Sequence, residues 1–234
     1  MTTHTRTTEE LRALADVAAV TLADADAYDV LAWAGETFGG ELVVASSMGD
    51  EVLVHLASRA VPGVDVLFLD TGYHFAETLG TRDAYAAMLP LHIVTVQPKQ
   101  TVWEQDLEYG PRLHDRDPDT CCALRKVEPL NRGLEPYAAW VTGMRREDAV
   151  TRTELPPVQW DAKRDKVKLN PIAAWTQADV DAYVEEHDVF LNPLRQLGYA
   201  SIGCAPCTRA VQPGEDPRAG RWAGRAKTEC GLHT

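Results

Sequence analysis

The sequence lacks any long apolar run and holds few cysteines. No apolar stretch approaches the length of about 20 residues that a membrane-spanning helix needs, so we expect no membrane association. The opening residues, MTTHTRTTEEL, contain no apolar core of the kind that marks a secretory signal, so the cytoplasm is the expected compartment. Thiols stay reduced there, and five cysteines in 234 residues are too few and too widely spaced for a disulfide framework.

Positive charge is scarce as well. The 23 Lys and Arg residues face 35 Asp and Glu residues, and the net charge of −12 argues against nucleic-acid binding. Neither GxGxxG nor GxxxxGK[ST] occurs, which argues against a Rossmann dinucleotide site and a Walker ATPase site. Residues 203–234 nevertheless carry more basic than acidic side chains. This local excess is either solvated surface charge or suited to a small anionic ligand.

Short apolar runs alternate with helical patterns along most of the chain. We predict strands at 41–46, 64–70, 91–98 and 140–144, of which the first two read as buried parallel strands. Helices are predicted at 8–22, 26–38, 51–60, 75–88 and 174–189, with Thr8 and Asp26 capping the first two. The alternation predicts an α/β fold, an open doubly wound mostly parallel sheet.

The remaining segments show weaker patterns. Residues 108–133 are predicted to be irregular at first and then helical, and residues 151–170 to form a hairpin outside the main sheet. Beyond residue 190, Gly and Pro dominate and predict an irregular C-terminal segment. We therefore predict a single domain over 1–234, comprising N-terminal helices (1–40), an α/β core (41–200) and a tail (201–234).

Four of the cysteines form two close pairs, Cys121–Cys122 and Cys204–Cys207. Thiolates bind soft metals and iron–sulfur clusters, and zinc ribbons normally use two C-x-x-C knuckles. Because one pair here is adjacent, its side chains diverge, and both reach one centre more easily if that centre is large. The spacing favours a [4Fe–4S] cluster over zinc; the alternative is two buried helix cysteines and an inert turn.

The fifth cysteine, Cys230, stands alone near the C-terminus, between Lys227 and His233. Nearby cations lower the pKa of a thiol and raise its thiolate fraction. Cys230 is therefore a candidate nucleophile, although an isolated cysteine in a tail is commonly unremarkable.

Polar residues follow several predicted strands. Ser46-Ser47, Thr71-Gly72 and Arg145 each come directly after an apolar run, where ligands of open α/β sheets bind. Hydroxyls, glycines and helix N-termini at such an edge suit a nucleotide, although each is also ordinary turn chemistry. Arg218 and Arg221, in DPRAGRWAG, suit forked recognition of phosphate or sulfate, although they also fit a solvated loop.

These residues belong to longer segments that resemble a known family. In chain order the segments are VVASSMGDEVLVHL, FLDTGYHFAET, CCALRKVEPL, AWVTGMRR, NPIAAWT, GCAPCTRA, DPRAGRW and KTECGLH. They run from about residue 41 to the end of the chain, and the set resembles the assimilatory adenylyl-sulfate (APS) reductases of the wider APS/PAPS reductase family, especially the actinobacterial members.

The resemblance implies a fold and a set of site residues. The family fold is adenine-nucleotide α-hydrolase-like, with a modified phosphate loop in which Ser46-Ser47-Met48-Gly49-Asp50 replaces the SGGxDS of related ATP pyrophosphatases. ATP cleavage is therefore not expected. By resemblance, a [4Fe–4S] cluster would be bound by Cys121, Cys122, Cys204 and Cys207, with Lys126 beside it, one helical turn past Cys122. The phosphosulfate would be held by Arg218, Arg221 and His233. The nucleotide would be contacted by Ser46, Ser47, Thr71, Gly72 and Arg145.

The resemblance also implies a reaction. The Cys230 thiolate would attack the sulfur of APS, release AMP and form a thiosulfonate, from which an external thiol, expected to be thioredoxin, frees sulfite. The role belongs to sulfate assimilation and cysteine biosynthesis.

Family members that strictly use PAPS typically lack the cluster cysteines, so APS is the expected substrate; PAPS or dual specificity is the alternative. A third hypothesis is a zinc-stabilised nucleotide-binding or regulatory module without turnover. Family analogy also allows a homo-oligomer.

Overall fold

The computed structural model describes residues 6–49, 51–225, 227 and 231–232. Its strands are β1 Leu42–Ser46, β2 Val64–Leu69, β3 Leu91–Val96, β4 Ala139–Val141, β5 Val158–Asp161 and β6 Lys166–Leu169. Its α-helices are α1 Thr8–Thr21, α2 Ala27–Phe38, α3 Glu51–Ala60, α4 Ala76–Met88, α5 Val102–Tyr109, α6 Leu113–Arg116, α7 Pro118–Cys122, α8 Glu128–Leu134 and α9 Gln177–His187. No helix among the described residues has the length and apolarity needed to cross a bilayer.

The strands form one sheet in the order β3-β2-β1-β4-β6-β5. Every pairing is parallel except that of β5 with β6 at the edge. The predicted doubly wound, mostly parallel sheet is therefore confirmed. The hairpin predicted at 151–170 exists, but its position outside the main sheet was wrong: β6 pairs in parallel with β4, with Trp140 opposite Lys168.

Apolar residues on both faces of the sheet explain the continuous apolar runs of the central strands. Val44 and Phe68 point to the face covered by α1–α4, in a cluster that also contains Leu31 and Tyr85. Their strand neighbours Val43 and Leu67 point to the opposite face, where Leu130 and Leu134 of α8 and Trp140 complete a second cluster. The side-chain period of two in a strand divides each run between the two cores.

Several predicted boundaries need correction. Thr7, not Thr8, is the N-cap of α1, because its side chain accepts from the Glu10 N–H while the Glu10 carboxylate accepts from the Thr7 N–H. Asp26 caps α2 as predicted. The strand predicted at 140–144 begins one residue earlier and is shorter, spanning Ala139–Val141. The beginning of the segment 108–133, predicted to be irregular, holds the short helix α6 between the last turn of α5 and α7.

The N-cap of α9 offers a test of the local structure. Thr176 accepts from the Asp179 N–H at 3.2 Å, and the Asp179 carboxylate accepts from the Thr176 N–H at 2.7 Å. The Thr176→Ala substitution is therefore expected to lower the free energy of unfolding by about 1 kcal/mol. Urea denaturation followed by circular dichroism measures this. Thr21→Ala, at an exposed helix end without a capping box, is the control; equal midpoints for the two variants would contradict the prediction.

Candidate active site

One cavity brings together the two cysteine pairs that lie more than 80 residues apart in the sequence. It is lined by Cys121, Cys122, Cys204 and Cys207, together with Tyr73, His114, Pro118, Arg125, Lys126 and Trp222. We call it the thiol cavity. Cys121, Cys122 and Cys204 are buried, Cys207 is partly exposed, and none of the four forms a disulfide within the described residues. The structure therefore brings the two pairs into one cavity.

The adjacent pair sits at the end of a helix that changes its winding. Asp117 caps α7, and Cys121 and Cys122 are its last two residues. A π-helix over Ala123–Val127 follows, in which the Glu128 N–H donates to the Ala123 carbonyl. Lys126 lies inside this wider turn, so the expected spacing of one ordinary helical turn from Cys122 does not apply. Lys126 still lines the thiol cavity.

The C-x-x-C pair forms a tight turn that is bonded to its surroundings. The Cys207 N–H donates to the Cys204 carbonyl at 2.9 Å, which folds the turn back on itself. The Ala205 N–H donates to the Tyr73 carbonyl at 2.7 Å, and the Trp222 N–H donates to the Cys207 carbonyl at 3.0 Å. These bonds hold the pair between the loop after β2 and the C-terminal segment.

The thiols influence one another electrostatically. Burial, followed by the sulfurs of Cys122, Cys204 and Cys207, raises the pKa of the Cys121 thiol to about 12, and Arg125 opposes this shift. Burial and Cys204 likewise raise the pKa of Cys207, whereas Lys126 is among the cations that lower it. Several thiolates so close together need a compensating positive centre.

The loop after β2 links the strand ends to the thiol cavity. Thr71 is buried, and its Oγ1 lies 3.4 Å from the Cys204 Sγ, within hydrogen-bonding distance. Gly72 follows with φ +73°, a left-handed conformation that favours glycine. Of the two predicted nucleotide contacts in this loop, Thr71 therefore touches Cys204, and Gly72 follows it in the chain.

The loop after β1 approaches the same region from the neighbouring strand. Ser46 ends β1 and accepts a hydrogen bond from the Met48 N–H at 3.0 Å, whereas Ser47 is exposed. Arg195 donates to the Gly49 carbonyl, which ties this loop to the segment before Cys204. Ser46 and Ser47 are thus at the predicted sheet edge, although neither lines the thiol cavity.

Arg145 and Arg218 do not line the thiol cavity in the described part of the chain. The Arg145 guanidinium donates to Asp148 Oδ1 at 2.9 Å and to Gln177 Oε1 at 3.1 Å. Its Nη1 is buried without a hydrogen-bond partner among the described residues. Arg218 belongs to a turn in which its N–H donates to Asp216 at 2.7 Å.

Arg221 lies against the C-x-x-C segment. Its Nη1 donates to the Ile202 carbonyl at 3.2 Å, and its guanidinium stacks 4.6 Å from the centre of the Trp222 ring. It also lowers the pKa of Cys207, after Lys126 and Arg225. Arg221 is thus the predicted anion-binding arginine with the clearest link to the thiol cavity.

Two cations fasten the C-terminal segment beside the thiol cavity. Arg225 donates to the His114 carbonyl and pairs with Asp115, and Lys227 pairs with Asp119 at the beginning of α7. Farther along, the Leu232 carbonyl accepts from Arg164 Nη2 at 3.0 Å. Cys230 and His233, the predicted nucleophile and phosphosulfate contact, lie outside the described residues.

Sequence reasoning missed several residues of the cavity lining. Tyr73, Arg125 and Trp222 stand next to predicted site residues in TGY, RK and RW, whereas His114 has no such neighbour. Their adjacency to Gly72, Lys126 and Arg221 is the signal in the sequence that could have identified the first three.

The residues of the thiol cavity fit a sulfur-bound cofactor. Four thiols are the donor set that iron–sulfur clusters take from proteins. No group of three or more His, Cys, Asp and Glu side chains within the described ranges is arranged to hold a metal ion. The fit therefore rests on the shared cavity and the chemistry of its donors.

Comparisons with known proteins agree with this architecture. The phosphoadenosine phosphosulfate reductase domain family matches residues 41–210. An adenosine 5'-phosphosulfate reductase of Streptomyces coelicolor is 64% identical over 228 residues, covering 97% of this chain and 97% of the relative. The enzyme of the same name from Mycolicibacterium smegmatis is 57% identical over 234 residues, covering 100% of this chain and 99% of the relative.

Solved structures show the same fold. A phosphoadenylyl-sulfate (PAPS) reductase from Candida auris superposes with a TM-score of 0.70 at 30% identity, covering 87% of this chain and 98% of that one. An FMN adenylyltransferase from Candida glabrata, at 14% identity and a TM-score of 0.55, covers 85% of this chain and 72% of its own and shares the fold alone. Both neighbours support the predicted adenine-nucleotide α-hydrolase-like class. The chain belongs to the phosphoadenosine phosphosulfate reductase family, among its adenosine 5'-phosphosulfate reductases.

Proposed function

We propose that this protein reduces adenosine 5'-phosphosulfate to sulfite and AMP, using thioredoxin as the reductant. The observation that carries the proposal is the thiol cavity, in which Thr71 of a strand-end loop touches one of four clustered cysteines. A nucleotide at this sheet edge would place its anionic end beside Lys126 and Arg221. Relatives named for this activity, which match nearly the whole chain, support the assignment.

The four thiols are proposed to hold a [4Fe–4S] cluster. Cys121, Cys122, Cys204 and Cys207 would be its ligands, and Thr71 would contact one of the ligand sulfurs. When bound, the cluster would supply a compact charged centre next to the substrate and would need no redox change of its own.

The chemical steps are assigned to the remaining cysteine. The Cys230 thiolate attacks the sulfur of the substrate, forms an S–S bond and breaks the sulfur–oxygen bond to the phosphate, so that AMP leaves. One thioredoxin thiolate then attacks the Cys230 sulfur and releases sulfite with the electron pair of the broken S–S bond. The second thioredoxin thiol resolves the mixed disulfide, so thioredoxin is oxidised to a disulfide and Cys230 returns as a thiol. An external reductant is needed because the other four cysteines are assigned to the cluster.

Cations of the site would stabilise this chemistry. An anionic thiolate and an anionic substrate repel each other, and positive side chains placed nearby offset the repulsion. Lys126 lines the cavity and Arg221 lies against the C-x-x-C segment. We assign the same role to Arg218 and His233 on the family pattern, and we place Ser46, Ser47, Gly72 and Arg145 along the nucleotide. The reaction would take place in the cytoplasm, within sulfate assimilation and cysteine biosynthesis.

The first test is turnover by anaerobically purified protein mixed with the substrate and thioredoxin. We expect sulfite and AMP in equal amounts, visible absorbance, and about four iron atoms per chain. A colourless protein that contains zinc and makes no sulfite would overturn both the reaction and the cluster, and would favour a nucleotide-binding module.

A second substrate is worth testing because of the structural likeness to a PAPS reductase. Parallel assays with the 3'-phosphorylated nucleotide decide between the alternatives. Faster turnover of that nucleotide would reassign the specificity while leaving the chemistry of Cys230 unchanged.

A further inference from the structure

Arg125 is a buried cation that the proposed chemistry does not use. It lies inside the π-helix, three positions after Cys122, and is 3% exposed. Its Nε donates to the Thr71 carbonyl at 2.5 Å. Its Nη1 donates to Gln105 Oε1 at 3.1 Å and to the Gln100 carbonyl at 3.3 Å, and its guanidinium lies 5.3 Å from the centre of the Tyr73 ring.

None of these hydrogen-bond partners within the described ranges is a carboxylate. Burying a charge is costly unless hydrogen bonds or an opposite charge compensate it. Neutral acceptors satisfy the donors of Arg125 without cancelling its charge. Arg125 therefore brings a charge held by neutral acceptors into the cavity lining that it shares with Cys121.

The guanidinium also joins three separate segments. Its own backbone belongs to the helix that follows Cys121 and Cys122, while its hydrogen bonds reach the loop after β2 and the beginning of α5. Thr71 is held from two sides, because its carbonyl accepts from Arg125 while its hydroxyl contacts Cys204. A shift of the guanidinium would therefore move the loop relative to both cysteine pairs.

Gly72 shows how closely this loop approaches the arginine. A Cβ at this position would lie 3.0 Å from Arg125 Nη2 and 3.2 Å from Val102 Cγ2, and the backbone φ of +73° adds strain for any other residue. A larger side chain at position 72 would therefore press on the Arg125 guanidinium on one side and on Val102 on the other.

We propose that Arg125 is a positioning residue that fixes the Thr71–Gly72 loop against the thiol cavity and thereby sets the affinity for the adenine nucleotide. The proposal rests on the proposed function, because that function places the nucleotide at this loop. Arg125 itself is not assigned a contact with the reacting atoms.

The Arg125→Lys substitution tests the proposal. Lysine keeps the charge, but its single ammonium cannot reproduce the fork that spans Thr71, Gln100 and Gln105. Loss of one charge-assisted hydrogen bond that holds the loop corresponds to a rise of roughly tenfold or more in the Kd for AMP. Calorimetric titration of the iron-replete protein with AMP measures this, with iron content and melting temperature recorded on the same sample.

Arg132→Lys is the matched control. Arg132 lies in α8, donates to a loop carbonyl, that of Gln97, at 2.5 Å, and is 40% exposed. We expect its substitution to leave the Kd for AMP within about twofold of the wild type.

The outcomes separate the two levels of inference. If the wild type does not bind AMP, the proposed function fails. If the wild type binds AMP and Arg125→Lys binds it equally well, the positioning role is overturned, even if that variant melts at a lower temperature. If Arg125→Lys does not fold, Gly72→Ala approaches the same contact from the loop with the arginine intact, and unchanged AMP affinity in that variant would equally overturn the proposal.

Discussion

The Cys230→Ser substitution is expected to reduce sulfite release by about a thousandfold or more while leaving the iron content unchanged. A serine hydroxyl is far less nucleophilic than a thiolate near neutral pH, so the covalent step is lost. Because Cys230 is the cysteine outside the two pairs, its replacement removes no proposed cluster ligand. Sulfite assays, iron analysis and the visible spectrum measure these effects on one preparation.

A matched control and a direct test of the intermediate accompany this variant. Ala223→Ser places the same side chain at an exposed position of the C-terminal segment and should preserve turnover. Mass spectrometry of the wild type mixed with the substrate, without a reductant, should detect one added SO₃ group on the peptide that contains Cys230. Full activity of Cys230→Ser would eliminate the proposed mechanism.

The Cys204→Ser substitution is expected to have the opposite pattern: loss of the cofactor first and loss of activity as its consequence. Cys204 is buried, its sulfur contacts Thr71, and its carbonyl accepts from Cys207 and Thr208 within a tight turn. Serine fits this space but is a poor ligand for iron in a cluster. We expect the visible absorbance to disappear and the iron content to fall to near zero.

Cys230→Ser is the control for Cys204→Ser, because both substitutions replace a thiol sulfur with a hydroxyl oxygen, one outside the proposed ligand set and one within it. Circular dichroism should show that the Cys204→Ser variant keeps the sheet, because Cys204 belongs to neither hydrophobic cluster of the core. An unchanged iron count would show that Cys204 is not a ligand. A stoichiometric zinc content in the wild type would show that the cavity holds a single metal ion instead.

The parallel sheet could be predicted because its physical cause is local. Strands β1 and β2 are short apolar runs that are largely buried on both faces, and such runs stand out from the helices between them. The cap at Asp26 was equally visible, since a side-chain acceptor directly before an apolar period is a strong signal. The parallel pairing of β6 with β4 was missed, because nothing within residues 151–170 indicates which distant strand they meet.

Helix α5 shows why some elements are hard to predict. Gln105 is its one buried residue, whereas Trp103 and Leu107 are 69% and 66% exposed. The helix is therefore fixed by its capping box at Thr101 and Glu104 and by contact with Arg125, and not by an apolar stripe. Amphipathic periodicity cannot detect a helix whose buried face is polar.

The candidate site could be predicted from residue types but not from its contacts. The paired cysteines were recognisable in the sequence and Lys126 followed from the family resemblance, and the structure places these residues in one cavity. The buried role of Arg125 could not be seen, because the sequence does not show that its neighbours Thr71 and Gln105 approach it from other segments. The assignments of Cys230 and His233 remain predictions from the sequence.

The π-helix after Cys122 sets the angle between two surfaces of this helical segment: the cations that line the thiol cavity and the apolar face of α8 that packs on the sheet. Its extra residue per turn rotates everything downstream by about 100° relative to a continuous α-helix. Arg125 and Lys126 therefore point in directions that an uninterrupted helix would not allow, while α8 keeps its apolar side on the sheet. Deleting Ala123 or Leu124 would leave every side chain of the site in the sequence and yet turn either the cations or the core face of α8 the wrong way. In this segment, residue count is as much a determinant of the site as residue identity.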